Sequence, residues 1–325
     1  MIKEKYYQFN TRPNQKFQLS QWFEQALDSA IHRQDIALNA EQLVDGIVAD
    51  LKDYSNINNI KDVVIGISGG IDSAVTAALF KRAGWTVTGV LMPINQNPME
   101  TMRGREVVDS LGIQSREHDL TKLFTDAQDF FSHNIDPVGG GGRAGAIRLG
   151  NIRARLRMIT LYNIASQLGG CVGSTDNFSE LAAGFWTLHG DVGDIAPIQS
   201  LTKSWEVPLV AEYLDLPRSV IEANPTDGLG IDRGDESQFG HTYAELDLWL
   251  LETMAAGPQL TNNQNITVFD QIQARIRNST FKRVNPVNFD HPVSGNRRYQ
   301  LLSRIDETLI SNSIKQTHTP EVQNV

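Results

Sequence analysis

Ser68-Gly69-Gly70-Ile71-Asp72-Ser73 is the stretch of this chain with the clearest capacity for chemistry. It follows Val63-Val64-Ile65-Gly66-Ile67, an apolar run too short and too β-branched for a buried helix, which reads as a central strand covered on both faces. It leads into Ser73 to Ala83, a helix of small residues with Val75, Ala78, Leu79 and Arg82 at helical spacing and Gly84 just past its end. A strand, a tight glycine turn and a helix N-terminus gather backbone N–H groups and the positive end of a helix dipole at one point. That point suits an anion. Gly69 and Gly70 omit side chains that would block phosphate oxygens, and Ser68 and Ser73 add hydroxyl donors at the rim. Asp72 is out of place in such a cradle, because a carboxylate repels phosphate unless a hard cation such as Mg2+ lies between the two. An ordinary βα turn with a Ser/Asp cap is the competing reading of the same residues.

The elements around the turn place it. Helices are predicted near Leu19 to Ile31 and from about Ala40 to Tyr54, the second with Leu43, Ile47 and Leu51 on one face. Thr86 to Met92 reads as a second strand, Asn97-Pro98 as the start of a helix ending at Gly112, Gln114 to Asp119 as a third strand and Thr121 to Phe131 as a helix. This alternation is the pattern of an α/β fold, a doubly wound parallel sheet flanked by helices, which binds ligands at the C-terminal ends of its strands. Asp136 to Gly145 fits either a lid beside the site or a plain linker. Ile147 to Leu168 is a long helix carrying Arg148, Arg153, Arg155 and Arg157, followed by the strand Cys171 to Gly173 and a turn through Ser174 to Glu180. Further helices are expected from about Lys203, over Pro217 to Ala223, over Tyr243 to Met254 with Leu246, Trp249 and Leu250 inward, and over Val268 to Thr280. Pro225 to Ser237 and Pro258 to Asn265 read as irregular. The predicted organisation is a polar, aperiodic arm over residues 1–18, one α/β unit over 19–290, and an extension over 291–325, helical around Leu301 to Ile310 and then disordered, with helical character toward both ends of the chain.

Composition excludes several classes. The 325 residues are 40% hydrophobic and 21% charged, which fits a globular protein, and a net charge of −9 argues against broad nucleic-acid binding. One cysteine, Cys171, excludes a disulfide framework and a cysteine zinc site, and points to a reducing, cytoplasmic setting. No stretch is long and apolar enough to span a membrane, and the first residues lack a signal-peptide core. His118, His189, His241 and His291 have no metal-ligand spacing.

The string Ser-Gly-Gly-Ile-Asp-Ser resembles the phosphate loop of the ATP pyrophosphatases, enzymes that cleave ATP to AMP and pyrophosphate. It lacks the Gly-Lys-Ser/Thr end of a Walker loop and the spaced glycines of a dinucleotide fingerprint. Further segments in order extend the resemblance: Gly150 to Met158 (GNIRARLRM), Gly173 to Glu180 (GSTDNFSE), Gly184 to Asp191 (GFWTLHGD) with Leu201 to Lys203, Asn224 to Asp227 (NPTD), and Ser279 to Arg283 (STFKR). From about Ala40 to Pro286 the chain resembles the ammonia-dependent NAD synthetases. The resemblance implies that ATP adenylates the carboxylate of nicotinic acid adenine dinucleotide (deamido-NAD) and that ammonia displaces AMP to give NAD, within a homodimer.

By the same resemblance Gly66, Ile67, Ser68, Gly69, Gly70, Ile71, Asp72 and Ser73 hold the phosphates of ATP, joined by Thr175, Lys203 and Thr226. Asp72 and Glu180 are then ligands of Mg2+. Arg155, Asp194, Phe281 and Lys282 fall at positions that contact the dinucleotide, and Asp191 beside the ammonia pocket. Catalytic roles fall to Asp191 and Lys203. Taken alone, Lys203 is a surface lysine, Glu180 a solvated helix residue and Asp191 a turn aspartate, and the other arginines of the long helix form a hydrated face. Leu188 stands where many members carry a substrate lysine, Phe281 where many carry histidine, and one residue is missing between Asp191 and Asp194. Two other readings remain: another ligase or RNA-modifying member of the ATP pyrophosphatase group, such as a GMP synthetase or a tRNA thiolase, and a non-catalytic nucleotide binder. Thiolases generally use cysteine pairs and basic surfaces, and loss of catalysis would strike Asp72, Glu180, Lys203 and Thr226 first.

Overall fold

The computed structural model describes residues 2–12, 17–134, 142–226, 229, 234–256 and 267–283. Four strands, β1 (Asp62–Gly66), β2 (Thr86–Leu91), β3 (Gln114–Glu117) and β4 (Cys171–Val172), form one parallel sheet in the order β3-β2-β1-β4. Val63 stands opposite Val87 on one side and Cys171 on the other. The chain runs outward from β1 through β2 to β3 and then returns to place β4 on the opposite flank. The order therefore reverses between β1 and β4, and the crevice at their C-terminal ends is where an open α/β sheet takes its ligand.

Two apolar layers sandwich the sheet, as a parallel sheet requires. Val63 and Ile65 pack into one core with α3 (Ala40–Asn58), α4 (Ile71–Arg82) and α9 (Glu206–Tyr213), with α5 (Pro98–Leu111) and α10 (Arg218–Ile221) beside them. Val64, pointing the other way, meets Val90, Val172 and Ile164 of α7 (Arg143–Leu168), with Phe124 of α6 (Thr121–Asn134) nearby. Every residue of α4 from Ser73 to Phe80 is buried, which explains its run of small side chains. Asn97 caps α5 by accepting from the Met99 N–H at 3.0 Å, and Gly112 closes that helix in a left-handed turn. The face of α3 is turned by about one position from the expected one: Val44, Val48 and Leu51 are buried, with Leu43 and Ile47 half-covered.

A third, mostly helical core corrects the expected arm. Ile2–Asn10 forms a helix, α1, whose Tyr6 (1% exposed) and Phe9 (6% exposed) are buried with residues of α2 (Gln21–Arg33), α12 (Tyr243–Ala256) and α13 (Thr267–Asn278). Ile2, Tyr6 and Phe9 make a helical stripe that Lys3, Glu4 and Lys5 dilute, so the sequence reads as polar. Full burial of such a side chain contributes about 1.5–3 kcal/mol, enough for two aromatic anchors to dock a short helix. Three other helices differ from expectation: α7 begins four residues earlier, α8 (Phe178–Ala183) replaces the end of the turn, and α11 (Asp235–Phe239) lies in the stretch read as irregular. A four-residue α14 (Thr280–Arg283) follows α13. The lid-or-linker residues 136–141, the loop Pro258 to Asn265 and the tail from His291 lie outside the described residues. Among the described residues no helix is long and apolar enough to cross a membrane.

Candidate active site

The turn after β1 is built as an anion cradle. Gly70 is the N-cap of α4 and provides no side-chain cap, so the first-turn N–H groups of α4 receive no hydrogen bond from a capping side chain. Two hydroxyls hold the loop in shape: Ser73 Oγ donates to the Gly70 carbonyl at 3.0 Å, and Ser68 Oγ accepts from the Gly70 N–H at 3.2 Å. Gly69 has a φ of +83°, and a Cβ there would lie 2.1 Å from the Glu100 carbonyl oxygen. It is the one member of Gly66 to Ser73 that does not line the cavity; it lets α5 close on the loop from behind, and its carbonyl accepts from Arg103 Nε at 3.1 Å.

At the loop's Asp72, three charged side chains meet. Lys203 Nζ contacts Asp72 directly and lies 3.7 Å from Glu180 Oε1, with the Tyr243 ring 5.6 Å from the ammonium. Asp72 comes from α4, Glu180 from α8 and Lys203 from the segment before α9, so only the folded chain assembles them. Burial alone would lower the Lys203 pKa, but Asp72 and Glu180 reverse that and hold the ammonium above the usual lysine value. Burial, and then the Asp72 charge, push Glu180 well above the usual carboxylate range against the pull of Lys203.

The surroundings fix this group in place. Asn177 caps α8 reciprocally with Glu180 and also donates from Nδ2 to Asp72 Oδ1 at 3.1 Å. Ser179 Oγ accepts from the Lys203 N–H at 2.9 Å and donates to the buried Asp247, which accepts the Ser204 N–H at 2.9 Å. Tyr243 donates toward Asp235 at 3.1 Å, with Glu180 at 3.4 Å as the alternative acceptor. Two carboxylates close enough to share one ammonium suit a hard divalent cation whose remaining ligands are water and substrate phosphate. Among the described residues no group of three or more ligand-type side chains is gathered.

Thr175, Asp176, Asp191 and Thr226 complete the wall of the same cavity. Thr226 Oγ1 donates to Glu100 at 3.2 Å, while its motif neighbour Asp227 lies outside the described residues. Asp191 faces open cavity space yet sits deep among protein atoms. That desolvation pushes its carboxyl up to about 6, against the opposing Thr187 N–H, which it accepts at 2.8 Å. Burial, and then the Asp191 charge, push Asp176 up to about 8. A second cavity adjoins the first, sharing Met158, Tyr162, Asp176 and Val192, and contains Leu188 and Lys282.

The remaining sequence assignments fall elsewhere in this single chain. Lys282 holds the 184–186 turn by donating to the Gly184 and Trp186 carbonyls. Arg155 is exposed and donates to the Leu188 carbonyl at 3.1 Å, outside both cavities. Phe281 is 58% exposed and also lies outside them. Asp194 binds the sheet instead, accepting from Tyr162 Oη and the Val172 N–H, both at 2.8 Å. Sequence reasoning missed Asp176, Asn177, Tyr243 and Arg157. Arg157 lines the cavity and donates to Gln96 Oε1 at 3.0 Å, on the face of α7 that carries Ala154, Met158 and Leu161. Two residues along a helix turn by about 200°, so Arg155 and Arg157 face opposite ways, and the spacing from Ala154 distinguishes them.

Comparison with known proteins gives the family of the chain. The family model described as NAD synthase matches residues 43–286. An NH3-dependent NAD(+) synthetase of Finegoldia magna is 34% identical over 255 residues, covering 78% of this chain and 98% of its own. Among solved structures, NMN synthetase from Francisella tularensis superposes with a TM-score of 0.68 at 27% identity, over 78% of this chain and 100% of that one. NH3-dependent NAD synthetase from Campylobacter jejuni gives a TM-score of 0.62 at 25% identity, over 78% and 100%. The glycine cradle at the β1/β4 crevice and the charged group facing it thus lie within a stretch matched over most of its length, and the chain belongs to the NAD synthase family.

Proposed function

We propose that this protein is a ligase that amidates deamido-NAD with ammonia, at the expense of ATP, to form NAD, AMP and pyrophosphate. The observation that carries the reading is the meeting of two adjoining cavities at Asp176, with the glycine cradle, Lys203 and Asp191 all on the first. ATP lies with its phosphates on the loop from Gly66 to Ser73, helped by Thr175 and Thr226, and the pyridine carboxylate enters from the side of Lys282. A carboxylate oxygen attacks the α-phosphorus, the bond to pyrophosphate breaks, and Lys203 offsets the charge gathering on the leaving group. Ammonia then attacks the activated carbonyl carbon, AMP leaves, and Asp191 accepts the proton. No covalent bond to the protein forms, so the residues act through orientation and charge. Asp72 and Glu180 would hold Mg2+, which supplies positive charge to the phosphate oxygens.

Purified enzyme with ATP, Mg2+, ammonium and deamido-NAD is expected to yield NAD and AMP in equal amounts, read by chromatography. Because one structural neighbour is named an NMN synthetase, the acid precursor of NMN is assayed in parallel. A higher kcat/KM on that mononucleotide would overturn the dinucleotide assignment, and no amide product from either would overturn the reading.

The same reading makes the protein a homodimer. Support comes from α7, which leaves Ile147 40% and Ile159 58% exposed beside the exposed Arg155, a mixed face suited to self-association about a two-fold axis. Light scattering is expected to give twice the chain mass, and a fully active monomer would refute it. The one cysteine, Cys171, is a buried free thiol, which supports a reducing cytoplasmic setting.

A further inference from the structure

We propose that Arg12, on the N-terminal segment that precedes the family match, is an active-site residue that binds the pyrophosphate end of ATP alongside Lys203. The proposal rests on the ATP reading of the first cavity. The matched stretch begins at residue 43, so nothing in the family assignment speaks for α1 or the residues after it.

Placement is the first argument. α1 is seated on the segment that carries Lys203: Tyr6 Oη bonds to Ser204 Oγ at 3.1 Å, and Asn10 Nδ2 donates to the Ser204 carbonyl at 3.1 Å. The rings of Tyr6 and Phe9 pack on Trp205 with centroids 6.0 and 5.6 Å apart. Four contacts from Tyr6, Phe9 and Asn10 onto two consecutive residues, Ser204 and Trp205, fix where α1 ends, and Arg12 follows two residues later. Phe9 and Arg12 both line the cavity that contains the glycine loop and Lys203, and neither lines the second cavity beside Lys282.

The chemistry of the side chain is the second argument. Arg12 is half-buried, and its guanidinium makes one hydrogen bond among the described residues, from Nη1 to the Phe9 carbonyl at 2.6 Å. No described carboxylate comes within 4.0 Å of it. Burial lowers its basicity, and the more distant Glu236 offsets only part of that. The structural arginines of this protein look different: Arg33 and Arg105 are forked onto carboxylates, and Arg283 donates to several carbonyls and hydroxyls. Among the described residues Arg12 instead commits one of its two Nη groups, in the wall of a cavity. A planar fork of N–H groups in a desolvated place matches two phosphate oxygens, and its place in the cavity of the glycine loop, outside the one beside Lys282, assigns them to ATP and not to the diphosphate of the dinucleotide. Lys203, committed to Asp72 and Glu180, offers a point charge; Arg12 adds the directional donors for a leaving group that carries several negative charges.

The test uses Arg12→Ala and Arg12→Lys in the full chain, with steady-state kinetics, calorimetric titration of Mg-ATP and of inorganic pyrophosphate, and thermal melting. A hydrogen-bonded charge contributes about 1.5–3 kcal/mol, so Arg12→Ala is expected to raise the KM for ATP and the Kd of pyrophosphate about ten- to a hundredfold. The KM for deamido-NAD stays within about twofold, and Arg12→Lys, which keeps the charge without the fork, falls between. ATP and pyrophosphate constants within about twofold of the parent in both variants would overturn the assignment. So would equal weakening of ATP and deamido-NAD, or a loss in Arg12→Ala that tracks a lowered melting temperature and is fully restored in Arg12→Lys. Should the parent protein bind ATP and pyrophosphate but make no amide, the proposed function fails while the titrations still decide Arg12.

Discussion

Lys203→Met, Asp72→Asn and Glu180→Gln each lower turnover at saturating ATP by about a hundredfold or more while the protein remains folded. Donors and charges aimed at a developing anion in a water-poor site are commonly worth about that much each. The three come from separate elements and meet at Asp72 in the glycine loop, and Lys203 is buried there at 8% exposure, a position a merely structural lysine seldom takes. The lysine variant has a second signature. Its removal leaves Asp72 and Glu180 facing one another without a counter-cation, and Glu180 is already pushed up by burial and by Asp72. The melting temperature of Lys203→Met should therefore fall in metal-free buffer and recover on adding Mg2+ without ATP, since the two carboxylates are proposed to hold that ion. Turnover within threefold of the parent in any of the three would remove that residue from the chemistry. A melting temperature indifferent to Mg2+ in the lysine variant would remove the metal from the carboxylates.

What the sequence disclosed and what it withheld follow from the range over which each interaction acts. β1, the glycine turn and α4 were legible because strand length, glycine placement and helical spacing are local. Lys203 was a surface lysine until the resemblance marked it. Its partners are 131 and 23 residues away, and nothing nearby in sequence announces its burial. Asn177 and Glu180 carried a readable signal, the reciprocal cap, which would have started α8 at Phe178. The same pair serves the site, since Asn177 reaches Asp72 while Glu180 faces Lys203. α1 was lost for the opposite reason: two aromatic anchors among nine residues give too weak a period to register, yet they suffice once Trp205 is there to receive them. The choice of Arg155 over Arg157 needed the orientation of α7 against the sheet, a tertiary fact, although Ala154 and Leu161 already traced the inward face.

Ammonia as the nitrogen donor sets a distinct pH signature. Asp191 is pushed up to about 6 and Asp176 to about 8, so near neutrality the first is a carboxylate and the second keeps its proton. Asp176 feels the charge of Asp191, so the apparent values belong to the pair. Below about pH 6 Asp191 is neutral and neither attracts ammonium nor accepts a proton. Above it the carboxylate is charged and able to take its proposed role in both, and the fraction of free ammonia, small at neutral pH for an amine of lysine-like basicity, grows as pH climbs further. At fixed total ammonium, kcat/KM should thus rise through an ionisation near 6 and keep rising above neutrality. Asp191→Asn should erase the lower ionisation and raise the ammonium KM about ten- to a hundredfold, with the ATP KM within about threefold. Glutamine should not substitute, because its use requires a reactive thiol. Cys171 lies on β4 with its thiol pushed up to about 12, by burial first and then by Asp194, so it is protonated and inert at working pH. Initial rates of NAD formation from pH 5.5 to 9 with ammonium, and separately with ammonia-free glutamine, decide the matter. A profile of Asp191→Asn superimposable on the parent's removes Asp191 from the nitrogen transfer, and glutamine supporting NAD formation as fast as ammonium without a partner protein refutes ammonia as the donor.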